Sequence, residues 1–232
     1  MSAVRIQLLG KGLNQDGWKP VIVLLESLGA ACTVHEDHTT LDPSGDMIVL
    51  LGYDRMVPES LVAAPRLGTV LFHSSDLPEG RGWAPIYNTM IRGLGLTQTM
   101  LYAVEAADAG PIVAKARYPL AGNEIESEVR RIDDRLTLRM LETVLPDLLQ
   151  GRVEGAVQDE GAATYWPRRT PEESRVTEDM SISDLLRHLR ALPESAPAFI
   201  FIGARRFQLR LAAAEAGETF DPDRVVIERY YA

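Results

Sequence analysis

Short apolar runs separated by longer stretches of mixed polarity set the rhythm of the chain. Residues 4–10 (VRIQLLG), 31–36 (ACTVHE), 46–53 (DMIVLLGY) and 68–73 (GTVLFH) read as strands. The run at 46–53 is bounded by Gly45 and Gly52 and is apolar throughout, as expected of a strand covered on both faces. Between them, 20–31 (PVIVLLESLGAA) has the length and the Gly29 exit of a helix, and 58–64 is a shorter one. The segment 10–17 (GKGLNQDG) is a turn-rich loop. Strands alternating with helices predict an α/β sheet, mostly parallel.

Further on, residues 83–93 predict a helix starting near Pro85, because proline suits a first helical turn. Strands are predicted over 97–105 and 110–120, joined by an Asp-Ala-Gly turn. Over 123–150, Ile125, Val129, Ile132, Leu136, Met140, Val144 and Leu148 recur at helical spacing, so one face packs on a core. Pro146 should bend that helix or end it early. From Gly151 the chain turns polar and proline-punctuated. Residues 181–192 then predict a helix capped by Ser181, with His188 on its solvated side. A hairpin around Gly203 and a last strand over 223–232 follow. Residues 1–160 therefore form the principal domain and 161–232 an extension of loop, helix and hairpin. The terminal strand, with Tyr230 and Tyr231, either seals a homodimer edge or covers its own sheet.

Composition narrows the function classes. A chain of 232 residues buries a core without needing disulfide or metal staples. Its single cysteine, Cys32, lies in an apolar stretch, builds no cysteine metal site, reads as filler and suits a reducing compartment. The net charge of −9 opposes a phosphate backbone, so nucleic acid is a disfavoured partner. No apolar run reaches the roughly 20 residues needed to span a bilayer, and no cleavable signal opens the chain. The expectation is a soluble cytoplasmic protein.

The densest chemistry is LFHSSDLPEGRGWAPI, residues 71–86. It follows a buried strand, where open α/β sheets place ligands, so His73 should project into a rim crevice. Ser75, Asp76, Gly80 and Arg81 crowd after it. The second element is VEAADAGPI, residues 104–112, in which Asp108 precedes Ala-Gly. If the two preceding strands are neighbours, Asp108 meets His73 over one crevice. A carboxylate there orients an imidazole and stabilises its charged form, an arrangement for acid–base work on an addition intermediate.

These segments resemble the signature of the folate-dependent formyltransferases, the family containing methionyl-tRNA formyltransferase and the sugar N-formyltransferases. That pattern runs His-x-Ser-Leu-Leu-Pro, two residues, Arg-Gly, two residues, Pro. Here it stands as His73, Ser75, Pro78, Arg81, Gly82 and Pro85, and the family's Asp-Thr-Gly matches Asp108, Ala109, Gly110. Residues 165–174 (YWPRRTPEES) resemble the family's Tyr-x-Pro-Arg-Arg-x-Pro-Glu-Asp stretch. The resemblance spans roughly residues 46–202. It implies a Rossmann-like α/β fold with helices on both faces, and transfer of a formyl group from 10-formyltetrahydrofolate to an amine. His73 and Asp108 would be catalytic. The pterin would rest on Met56, Val57 and Pro58 and on the loop carrying Tyr102, Glu105 and Ala106. The acceptor would meet Ser75, Asp76, Gly80, Arg81, Tyr165 and Arg169, with Arg168 a further contact. No metal is implied.

One position departs from the pattern. The family's catalytic asparagine lies two residues before the histidine, where this chain has Leu71. Asn88, in the following helix, is the candidate substitute, and an inactive folate- or nucleotide-sugar-binding homologue is the competing reading. Only 33 residues follow Phe199, and they are not basic, which favours a small amine over tRNA. A nucleotide-linked amino sugar ranks first, with hydroxyornithine-type and peptide amines open.

Overall fold

The computed structural model describes residues 3–13, 18–215, 217 and 220–231. Residues 14–17 of the predicted loop, and 232 of the predicted last strand, lie outside the described residues. The amino-terminal half alternates as expected: β1 (Arg5–Leu9), α1 (Lys19–Ser27), β2 (Ala31–His35), β3 (Met47–Leu50), α2 (Glu59–Val62) and β4 (Thr69–His73). These four strands lie in the order β2-β1-β3-β4, with every neighbouring pair parallel. Parallel neighbours need crossover connections, and α1 and α2 lie in two of them.

Beyond β4 the pairing changes hand. After β5 (Arg81–Gly82) and α3 (Pro85–Arg92) come β6 (Leu96–Tyr102) and β7 (Ile112–Tyr118). Both join the sheet antiparallel, β6 against β4 and β7 against β6. The helix α4 (Glu126–Leu148) is followed by β8 (Tyr165–Trp166), α5 (Ile182–Ala191), the hairpin β9 (Ala198–Ile202) with β10 (Arg205–Leu209), and β11 (Val226–Arg229). The last strand returns to the main sheet, antiparallel to β7, so the terminal strand covers its own sheet. The seven-stranded order is β11-β7-β6-β4-β3-β1-β2.

Alternation along β4 sorts its side chains. Val70 and Phe72 join one large core cluster with Val21 and Leu25 of α1, Ile86 and Met90 of α3, and Val129, Leu136 and Met140 of α4. Leu71 faces the other way, with Leu77, Leu101, Ile112 and Tyr230. On that thinner face, Leu61 of α2 packs on Leu9 and Ile48. His73 has the parity of Leu71, so it leaves the sheet on the face opposite α4.

Two expectations fail locally. Helix α4 runs through Pro146 to Leu148; the proline, two residues from the helix end, forfeits one N–H bond without ending the helix. His188 is buried rather than solvated. It shares a face of α5 with Leu185 and Leu189, which pack on Val176, Leu192 and Ala198.

Candidate active site

His73 is the last residue of β4, and the chain turns at once: the Ser75 N–H donates to the His73 carbonyl at 2.9 Å. The imidazole is buried and held from two sides. Nε2 lies 2.8 Å from the Gly80 carbonyl, which can only accept, so Nε2 carries the hydrogen. Nδ1 lies 3.4 Å from Asp108 Oδ1, a contact that becomes a hydrogen bond when Nδ1 also carries a proton. The other oxygen of Asp108 accepts from the Gly82 N–H at 2.9 Å. One loop, residues 80–82, thus orients both members of the pair.

The route by which they meet differs from expectation. Because β4 and β6 are antiparallel, His73 sits opposite Thr99 while Tyr102, at the end of β6, sits opposite Val70. Asp108 follows that far end, about 10 Å back along the strand at 3.4 Å per residue. No common rim of parallel strand ends brings the pair together. Instead the segment 103–110 folds back over the sheet face. Asp108 itself takes a left-handed backbone, φ 56°. Gly110 lies so close to the Tyr102 carbonyl that an added Cβ would stand 1.8 Å from its oxygen. Gln158 clamps this turn, its Nε2 donating to the carbonyls of Asp108 and Gly110, each at 2.8 Å.

Arg81 is almost fully buried and ties the loop to the carboxyl-terminal half. Its guanidinium donates to Gln158 Oε1, to both oxygens of Glu160 and to the Tyr165 hydroxyl. The hydrogen bond to Glu160 is the main influence holding the arginine firmly cationic. Strands β5 and β8 pair here, Arg81 opposite Tyr165 and Gly82 opposite Trp166. The Trp166 ring covers Gly80, where a Cβ would come within 2.6 Å of it. Gln158, Glu160, Trp166 and Thr164, whose hydroxyl accepts from the Gly80 N–H at 2.8 Å, were not singled out from the sequence. Their signal was only their place in the polar stretch after Gly151, with Trp166 inside the segment that resembles the family's Tyr-x-Pro-Arg-Arg stretch.

The other expected residues divide. Ser75 is buried and its hydroxyl closes the loop on the Glu79 carbonyl. Asp76 is half-exposed and pairs with Lys115 and Arg117 of β7. Tyr165 is exposed, and Arg168 lies over the exposed Trp83 ring, 4.9 Å from its centroid. Arg169 instead packs over Tyr87, 4.2 Å away, and donates to Ser174, so it braces α3. Both amide hydrogens of Asn88 go to the carbonyls of Trp83 and Ala84, which commits that amide to the turn before α3. Leu71 is an apolar contact. Met56, Pro58, Glu105 and Ala106 are exposed and Val57 partly so, whereas Tyr102 is half-buried with its hydroxyl on the Val153 carbonyl. Burial pushes the Cys32 thiol up to about 11, which suits filler rather than a nucleophile. Among the described residues no helix is long and apolar enough to cross a membrane.

The formyl transferase family profile matches residues 34–143, a span holding both His73 and Asp108. Methionyl-tRNA formyltransferase of Staphylococcus epidermidis is 29% identical over 195 residues, which is 82% of this chain and 62% of that protein. The chain thus spans less than two thirds of that relative's length. In fold, the chain is similar to methionyl-tRNA formyltransferase from Clostridium thermocellum, with a TM-score of 0.74 and 21% identity over 98% of this chain and 99% of that one. It is also similar to the formyltransferase PseJ from Anoxybacillus kamchatkensis, with a TM-score of 0.62 and 20% identity over 73% of this chain and 88% of that one. That structure is a complex with UDP-4,6-dideoxy-4-formamido-L-AltNAc and tetrahydrofolate. The fold class is therefore the α/β domain shared by these proteins. The part of the chain that the family profile matches, residues 34–143, therefore holds both members of the His73–Asp108 pair.

Proposed function

We propose that the protein is an N-formyltransferase that moves a formyl group from 10-formyltetrahydrofolate to the amine of a small acceptor, foremost a nucleotide-linked amino sugar. The observation that carries the reading is the imidazole–carboxylate pair, 3.4 Å apart and oriented by one loop. A neutral amine attacks the formyl carbon, and a nitrogen–carbon bond forms as the carbonyl becomes an oxyanion. His73 exchanges its Nε2–H bond to the Gly80 carbonyl for one to that oxyanion, the kind of developing charge a placed donor stabilises. Asp108 takes up the proton released by the ammonium. Collapse breaks the bond from carbon to the folate nitrogen, which takes the proton held by Asp108 and leaves as tetrahydrofolate. The donor's pterin lies against Met56, Val57 and Pro58 and the loop 102–108, whose exposed backbone supports main-chain recognition.

The acceptor side rests on Trp83 and Arg168, an exposed ring beside a guanidinium, one residue beyond the Gly82 that bonds Asp108. A nucleotide base and its phosphates suit that pair. PseJ, solved with a UDP-sugar, supports the same class, and the net charge of −9 weighs against tRNA. The relative from Staphylococcus epidermidis, named for tRNA, favours the second reading. A screen of nucleotide-linked amino sugars with 10-formyltetrahydrofolate, followed by tetrahydrofolate release, tests the proposal. Turnover with at least one is expected; none with any sugar, together with submicromolar binding of charged tRNA at physiological salt, would overturn it.

A further inference from the structure

Directly behind His73, the chain changes faces. Ser74 is buried, and its hydroxyl donates to Asp133 Oδ2 on α4 at 2.9 Å. Gln98 of β6 donates one amide hydrogen to the same oxygen at 3.2 Å and the other to Thr137 Oγ1 at 2.9 Å. The Thr137 hydroxyl in turn donates to the Asp133 backbone carbonyl. All four residues are buried. Every hydrogen in this cluster is thereby spent, yet two acceptors in it have no donor: Asp133 Oδ1 and Gln98 Oε1.

Buried polar atoms are rarely left unpaired. One proton on Asp133 Oδ1 supplies the missing donor. An acid O–H facing the amide carbonyl complements the amide N–H already facing the acid's other oxygen, as a carboxylic acid pairs with a primary amide. We propose that Asp133 is a positioning residue: a neutral acid paired with Gln98, it anchors Ser74 and so holds the imidazole of His73 from the far side of the sheet. This rests on the reading of His73 as the catalytic imidazole.

The charged surroundings agree. The complete burial of the carboxyl pushes it up to about 7, with the Ser74 bond opposing the rise and Asp134 adding to it. Its charged neighbours are Arg130 and Asp134, both on α4; the groups facing it from β6 and from the loop, Gln98 and Ser74, do not titrate. The unfolded chain loses this proton near the ordinary carboxylate value of about 3.9, whereas the folded protein keeps it to about 7. The folded state then binds the extra proton, so stability falls as pH rises between those values and levels off above.

Thermal melts of wild type, Asp133→Asn and Ser74→Ala from pH 5 to 8.5, with the His73 imidazole signal assigned by its loss in His73→Ala, test this. Asn mimics the neutral acid, so the Tm of Asp133→Asn relative to wild type should climb from pH 5 to 8, with the His73 signal unmoved. Ser74→Ala, which cuts the link and leaves the acid–amide pair, should shift that signal. A Tm difference flat with pH, or an imidazole indifferent to Ser74→Ala, overturns the proposal. Neither readout requires turnover, so they are independent of the acceptor screen on which the catalytic reading stands or falls.

Discussion

His73 and Asp108 belong to different elements, one ending a strand and the other on a left-handed turn clamped by Gln158, with the loop 80–82 bonded to both. Each should therefore be removable without unfolding the protein. His73→Ala and Asp108→Asn are expected to lower formyl transfer by roughly a hundredfold or more while the melting curve stays near wild type. A loss below threefold in either variant would exclude the pair from the chemistry. Gly110 is the opposite case, because its neighbour is the Tyr102 backbone rather than a flexible side chain. Gly110→Ala should cost about 3 kcal/mol, read by denaturant unfolding, and misplace Asp108 as well. At this scale the sequence was informative where chemistry clusters locally, as in residues 73–82. It was mute on partners brought from afar. Gln158 and Trp166 are an ordinary amide and an ordinary aromatic until the fold sets them on Asp108 and Gly80.

The hydrophobic pattern located nearly every helix and strand, since periodicity is a local property. Pairing direction is not, and the expectation of parallel strand ends around His73 failed for that reason: nothing in residues 96–102 says which way the strand will run beside β4. The two-residue strands β5 and β8 were invisible too, being too short to show any alternation. Their union depends on the Trp166 ring over Gly80, and Trp166→Ala should cost about 3–5 kcal/mol, with looser binding of the acceptor. Unchanged stability would show the latch to be ornamental. In α5, burial lowers the His188 pKa below that of a free histidine. The unfolded chain binds the proton first, so acidification through about 6.5 should destabilise the protein. His188→Gln should lose part of that acid sensitivity, visible as a shallower fall of Tm between pH 7 and 5.

Across the whole molecule, the last strand covers the edge of β7 and, short and largely exposed, becomes the sheet's new edge. β11 bonds along β7, whose own side chains are nearly all buried, and a bare β7 would offer its ladder to other chains. Truncation before residue 226 should give a protein that associates, seen as a rise in light scattering at concentrations where the full chain stays dispersed. The acidic balance was readable at once and bears on partners rather than on fold. The latch between β5 and β8 has a wider implication. Arg168 lies two residues past Trp166, on the same piece of chain that presses on Gly80, and Gly80 is what the imidazole leans on. On the proposed reading, an acceptor held at Arg168 bears on the same tether as the imidazole, so a change there is expected to move both binding and rate.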